Sequence, residues 1–151
     1  MTVSIWRLPP RDKSHRALLD NVWVKESGRA GLYAEKRQVD IVKSTFEKND
    51  TDGILFAAGV KASVEKTRLH DNRGTGMVVT VDGSSIWTKN NSVRYNRREG
   101  YEVNAYGAAG NFGIRQGLNR GERSLRRGPY CPYASGCKNF GNFVLPEWWR
   151  Q

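Results

Sequence analysis

Cysteine, histidine and methionine are scarce in this chain, with two of each. Cys131 and Cys137 have no histidine beside them, so a four-ligand zinc site cannot be assembled locally. They read as a disulfide closing a short loop or as two buried thiols, and the spacing does not choose. Long apolar runs are missing too. No stretch of about 18 such residues occurs, which argues against a membrane-spanning helix. The opening "MTVSIWRLPPRDKSHR" has two prolines and no apolar h-region, so it is not read as a signal peptide. "GVKASVEKT" and "GAAGNFG" contain glycine but lack the Lys-Ser/Thr ending of a phosphate loop, and no local signature of a Ser/His/Asp triad occurs. No cofactor is expected.

What is abundant is glycine and positive charge. The 151 residues fit one domain, and sixteen glycines with modest apolar content argue against a long-helix protein. The formal charge of +10 favours polyanions: nucleic acid, acidic polysaccharide, an anionic membrane surface or an acidic protein face.

The chain also repeats. Gly31, Gly53, Gly76 and Gly100 are 22, 23 and 24 residues apart. Seven positions before each stands Val24, Phe46, Leu69 or Val93. Fourteen before stands Ala17, Val39, Ala62 or Ile86, and twelve before, Leu19, Ile41, Val64 or Thr88. One after stands Leu32, Ile54, Met77 or Tyr101; three after, Ala34, Phe56, Val79 or Val103. Inward residues two apart are a strand signature. Three short strands per unit, repeated in this way, predict a coil that buries its apolar side only by stacking on its neighbours. Four positions before the glycines stand Ser27, Asn49, Asn72 and Asn96. The asparagines are expected to form a ladder, their turn position tolerating unusual backbone angles. The glycines that follow are expected where a Cβ is costly.

Over residues 17–106 this pattern of apolar strand, Asn, Gly and apolar strand resembles the right-handed parallel β-helix of the pectin-lyase-like superfamily. The resemblance implies an all-β solenoid of about four coils. It is weak for function, since the superfamily holds pectate and alginate lyases, mannuronan epimerases, phage tailspikes and non-catalytic modules. It also implies an extracellular or periplasmic setting. Residues 1–16 are expected to cap one end. Residues 107–151 are Gly-rich, then basic and aromatic, and no offset among them reproduces a fifth coil. They form an irregular cap, with Phe140, Phe143, Trp148 and Trp149 folding back, or a tail that docks on a partner.

Outward positions also line up. Lys25, Glu47, His70 and Arg94 stand six before the glycines, Glu26, Lys48, Asp71 and Tyr95 five before, and Thr45, Arg68 and Ser92 eight before. One chemical reading is proton abstraction beside a uronate carboxylate, with Arg94 or Arg68 neutralising it and His70 or Tyr95 moving protons. The other is a mixed-charge strand face, each cross-coil pair worth roughly 0.2–1 kcal/mol. "RLHDNRG" lacks the Asp-Pro-His motif of mannuronan epimerases, and no aligned aspartates suggest a calcium site, so no metal is expected.

The favoured expectation is a non-catalytic binding or assembly module. Its basic surface (Arg68, Lys48, Asp71 and Trp87 among the contacts) engages an acidic polysaccharide or acidic protein face, with Tyr33, Trp87 and Tyr95 able to stack on sugar rings. The alternatives are a small lyase or C5-epimerase using His70, Tyr95 and Arg94, and nucleic-acid binding through the Arg-rich tail around Arg120, Arg123, Arg126 and Arg127. The open helix ends and the tail are candidate contacts for oligomers or a larger assembly.

Overall fold

The computed structural model describes residues 16–80 and 83–104 with their side chains, and the backbone of five further short strands. Cys131, Cys137, most of the N-terminal cap segment and most of the aromatic tail lie outside the described residues. The strands are β1 (Val3–Ser4), β2 (Arg16–Asp20), β3 (Trp23–Lys25), β4 (Leu32–Ala34), β5 (Gln38–Val42), β6 (Thr45–Glu47), β7 (Ile54–Phe56), β8 (Lys61–Glu65) and β9 (Arg68–His70). They continue as β10 (Met77–Thr80), β11 (Ser85–Lys89), β12 (Ser92–Arg94), β13 (Tyr101–Asn104), β14 (Asn111–Ile114), β15 (Asn119–Glu122), β16 (Pro129–Tyr130) and β17 (Phe143–Val144).

Up to β16 each strand pairs with the strand three before it, so the chain winds as a right-handed parallel β-helix. The first sheet runs β2-β5-β8-β11-β14, the second β3-β6-β9-β12-β15-β17, and the third β1-β4-β7-β10-β13-β16. All pairs are parallel, and the register places each residue on its counterpart one coil away: Val39 on Ala62, Phe46 on Leu69, Ile54 on Met77. The inward columns foreseen from the glycine spacing are buried, with Val39, Ile41, Phe46, Ile54, Phe56, Val64, Leu69, Met77, Val79, Ile86, Val93 and Tyr101 fully so. Burying one such aliphatic or aromatic side chain is worth roughly 1.5–3 kcal/mol, more than any exposed charge pair at about 0.2–1 kcal/mol. The inward columns therefore set the register, and the outer face inherits it.

The lengthening from 22 to 24 residues is confined to one corner. From the second sheet to the third the path is always the same length: Lys25 to Leu32, Glu47 to Ile54, His70 to Met77 and Arg94 to Tyr101 are each seven steps. From the first sheet to the second it is three steps up to β12, as in Val42 to Thr45 and Glu65 to Arg68, and five from Ile114 to Asn119. Among the coils that end at β13, only the return from third to first grows, from four steps (Ala34 to Gln38) to five (Phe56 to Lys61) to six (Val79 to Ser85).

The asparagine ladder forms. The Asn49 side-chain amide donates to Asn72 Oδ1 at 2.8 Å, and that of Asn72 to Asn96 Oδ1 at 2.9 Å. Each Oδ1 also accepts the backbone N–H one coil earlier: Ser27 to Asn49 at 3.1 Å, Asn49 to Asn72 at 3.2 Å and Asn72 to Asn96 at 3.1 Å. The unusual backbone angle expected of the asparagines falls instead on the residue before: Glu26, Lys48, Asp71 and Tyr95 all have φ of 53–57°. The asparagines are kept for their amides, which satisfy buried groups that water cannot reach. The glycines are required by close approach. A Cβ on Gly53 would stand 2.6 Å from Gly76 O and 2.9 Å from Asn72 Nδ2.

Beyond residue 106 the sheets gain further strands. β14 pairs with β11, β15 with β12 and β16 with β13. A parallel ladder joins backbone groups, so it extends through Gly-rich sequence that has no apolar pattern to reveal it. Among the described residues, no helix is long and apolar enough to cross a membrane.

Candidate functional site

The outer face of the second sheet brings together the residues expected there. Lys25, Glu47, His70 and Arg94 stand in register, one per coil, and Trp23, Thr45, Arg68 and Ser92 form the neighbouring column. His70 Nε2 is 3.2 Å from Glu47 Oε2, and Nδ1 is 2.7 Å from Asp71 Oδ2. Trp23 Nε1 donates to the other Glu47 oxygen at 2.9 Å, and Lys25 Nζ lies 4.8 Å from the centre of the Trp23 ring. Glu47, though buried, thus has its charge answered on two sides. The sequence reading placed Glu47 in this column but missed Trp23 as its partner.

The arrangement constrains chemistry. Each His70 nitrogen already faces a carboxylate, so neither is aimed at open space as a general base. Glu47, His70 and Asp71 could offer one ligand atom each within 4.8 Å. The carboxylates, however, address opposite ring nitrogens. A cation taken by one nitrogen would have to draw over the carboxylate that now faces the other, and three ligands is the fewest that hold zinc in a protein. Arg94 is half-buried, in register with His70, while Tyr95 projects from the turn with 48% of its surface exposed. Lys48 and Asp71 occupy that same left-handed turn column, and both are exposed.

Two recesses open elsewhere. One, of about 390 Å³, lies on the first sheet and is lined by Gln38, Asp40, Lys61, Ala62, Ser63, Ser85 and Trp87. Trp87, Ser63 and Asp40 share one outward column, and Ser85, Lys61 and Gln38 another. Asp40 is paired with Arg16 one coil away. The other recess, of about 340 Å³, lies at the corner between the first and second sheets. It is lined by Asn21, Lys43, Ser44, Thr45, Lys66 and Arg68. Neither recess is lined by His70, Tyr95 or Arg94. Of the expected contacts, Trp87 and Arg68 line recesses; Tyr33 is half-buried on the third sheet and donates to Glu35 at 3.0 Å.

Lys43 and Lys66 were not singled out in sequence, although a signal existed. Asn21, Lys43, Lys66 and Asn90 stand ten positions before the aligned glycines, a column as regular as the others. All four have φ of 49–55° at a tight corner.

Titration is perturbed at two further places. Burial pushes the Asp52 carboxyl above its ordinary value, and Glu102 and Glu99 push the same way. The Thr75 N–H, donating to Asp52 Oδ1 at 2.7 Å, and Arg98 oppose them. Burial also pushes the Tyr101 phenol up, against hydrogen bonds with Asn91 and Thr88. Tyr101 is a core residue and Asp52 a turn residue, and both shifts stem from packing.

Comparison with known proteins agrees with this architecture. The family described as a right handed beta helix region matches residues 11–115. Neither the curated proteins nor the solved structures contain a match. With more than half its length matched, the chain belongs to the right-handed β-helix family.

Proposed function

We propose that this chain is a non-catalytic β-helix module whose basic outer surface engages an acidic polysaccharide. The observation that carries the reading is the Trp87 recess. It combines one flat aromatic ring with Gln38, Ser63 and Ser85 as neutral hydrogen-bonding groups and Lys61 as a cation, while its one carboxylate, Asp40, is paired with Arg16. An apolar platform beside a few polar groups is what a sugar ring with a carboxylate or sulfate needs: a face to stack on, partners for hydroxyls and a positive charge. The net charge of +10 supports a polyanionic partner. The doubly engaged His70 favours binding over proton transfer.

Calorimetric titration with polygalacturonate, alginate and heparin tests this. Binding is expected to at least one polymer, weakened about tenfold or more by Trp87→Ala. Incubation with the same polymers is expected to yield no unsaturated product by ultraviolet absorbance and no C5 inversion by NMR. A product that disappears in His70→Ala would overturn the non-catalytic reading in favour of a lyase or epimerase.

A further inference from the structure

The columns of the outer surface are of two electrostatic kinds. In the Lys25–Glu47–His70–Arg94 column the carboxylate of Glu47 stands between Lys25 and His70, so the basic groups on either side of it have an acidic neighbour one coil away. The corner column has no such carboxylate. Lys43 and Lys66 stand on adjacent coils, about 4.8 Å apart at the backbone. Arg68 adds a third cation to the same recess, and no carboxylate lines it. Like charges facing each other across a ladder are destabilising. Among the described residues neither Lys43 nor Arg68 forms an ion pair, and Lys66 makes only a loose, exposed contact with Glu65 at 3.6 Å. Packing does not explain the cluster either, since Lys43, Lys66 and Arg68 are all exposed.

We infer that this recess is an oxyanion subsite, in which Lys43, Lys66 and Arg68 take a carboxylate or sulfate group of an acidic glycan. The inference deepens the acidic-polysaccharide reading and rests on it. The backbone donors here are already used: Lys43 N–H goes to Glu65 O at 3.0 Å and Lys66 N–H to Lys89 O at 3.0 Å. The Ser44 hydroxyl is also occupied, donating to Val42 O at 2.9 Å and accepting from Val22 N–H at 3.2 Å. Recognition therefore falls to side chains. The Arg68 guanidinium offers a planar fork for two oxygens, the lysines supply mobile point charges, and Asn21 and Thr45 bring neutral groups to the rim. No aromatic ring lines the recess, which leaves nothing for a nucleobase to stack on and favours a glycan over a single-stranded nucleic acid. The site also has a neighbour. Lys43 is only three steps along the chain from Asp40 in the Trp87 recess, about 10 Å of extended chain. An acidic glycan lying along the coil can stack one ring on Trp87 and place an anionic group farther along at the corner.

The test is calorimetric titration of the full chain with polygalacturonate, heparin and a single-stranded oligonucleotide, at two salt concentrations. Wild type is compared with Lys43→Gln/Lys66→Gln, with Arg68→Gln and with Arg29→Gln/Arg97→Gln. The last removes two exposed charges at a different corner. The subsite predicts about a tenfold loss of polysaccharide affinity in the Lys43/Lys66 pair, a shallower salt dependence, and a loss under about threefold in the Arg29/Arg97 pair. Thermal melts should be alike, because the replaced side chains point into solvent. Stronger loss with polygalacturonate assigns a carboxylate, stronger loss with heparin a sulfate. If wild type binds a polysaccharide and the Lys43/Lys66 pair binds it equally well, the subsite is refuted while the module reading stands. If wild type binds neither polysaccharide, or binds only the oligonucleotide, both fall together.

Discussion

Asn72 is the residue whose loss should cost most for its size. Its Oδ1 accepts two donors from Asn49, the backbone N–H at 3.2 Å and the side-chain amide at 2.8 Å. Its Nδ2 donates to Phe46 O at 3.2 Å and Asn96 Oδ1 at 2.9 Å. Truncation by Asn72→Ala leaves both Asn49 donors without an acceptor in a region from which water is excluded. Each buried orphan costs about 1–3 kcal/mol, so roughly 3–5 kcal/mol is expected in total. That is a large share of the 5–15 kcal/mol that holds a typical domain together. Asn49→Ala orphans only Ser27 N–H, because the Asn49 backbone N–H keeps its acceptor on Asn72. It should cost about 1–2 kcal/mol. Asn72→Asp preserves shape and still accepts from Asn49, but turns an acceptor toward Phe46 O and Asn96 Oδ1, so it too should be strongly destabilising. Urea unfolding followed by far-ultraviolet circular dichroism gives these differences. An Asn72→Ala cost below about 1 kcal/mol, or one no greater than that of Asn49→Ala, refutes the idea that the ladder is a chain of buried, mutually satisfied amides.

Three other outcomes follow from single residues. Gly53→Ala should cost about 2 kcal/mol or more, because its Cβ meets backbone oxygen at 2.6 Å. Gly28→Ala, with nothing within 4 Å, should be nearly neutral by the same unfolding measurement. Lys48 has φ of 53°, so Lys48→Gly should raise the melting temperature relative to Lys48→Ala, which loses the same side chain and keeps the strain. The Asp52 carboxyl is raised in the folded state, so the stability it contributes is full below its unfolded value and is lost as pH climbs through the folded one. Asp52→Asn, whose oxygen still accepts the Thr75 N–H, should therefore be the more stable protein at neutral pH. The gap should close in acid, read from melting temperature against pH.

The inward columns were legible in sequence because burial enforces one residue class per column. Phe46, Leu69 and Val93 differ in shape but not in kind. The ladder of Asn49, Asn72 and Asn96 was legible for a related reason: only a side chain with both donor and acceptor can satisfy neighbours above and below. The turns were less so. Glu26, Lys48, Asp71 and Tyr95 share a left-handed backbone yet no chemistry, so nothing in their identities betrays the angle. At the outer face the alignment put Glu47, His70 and Arg94 in one column. It could not say that His70 would be held between Glu47 and Asp71, since that depends on side-chain rotation. Lys43 and Lys66 were hidden by emphasis: their column was there at a fixed offset, flanked by Asn21 and Asn90. The strands past residue 106 pair through their backbones, and no periodicity in the sequence announces them.

The placement of length variation bears on where binding can occur. A surface that reads an extended polymer needs its side chains at fixed spacing from coil to coil, and an inserted residue shifts every outward group downstream of it. From β2 to β13 the paths from first to second sheet and from second to third keep their length in each coil, while the return corner absorbs each added residue. Register is restored at once by the inward column of Val39, Ala62 and Ile86. The arc from the Trp87 recess through the Lys43–Lys66 corner to the His70 column is therefore geometrically uniform. The return corner is where an insertion disturbs least. The acidic glycan proposed above would find evenly spaced side chains on this arc. That is where both recesses lie, and where the positive charges of Lys43, Lys66 and Arg68 are concentrated, with only the loose Lys66–Glu65 contact against them.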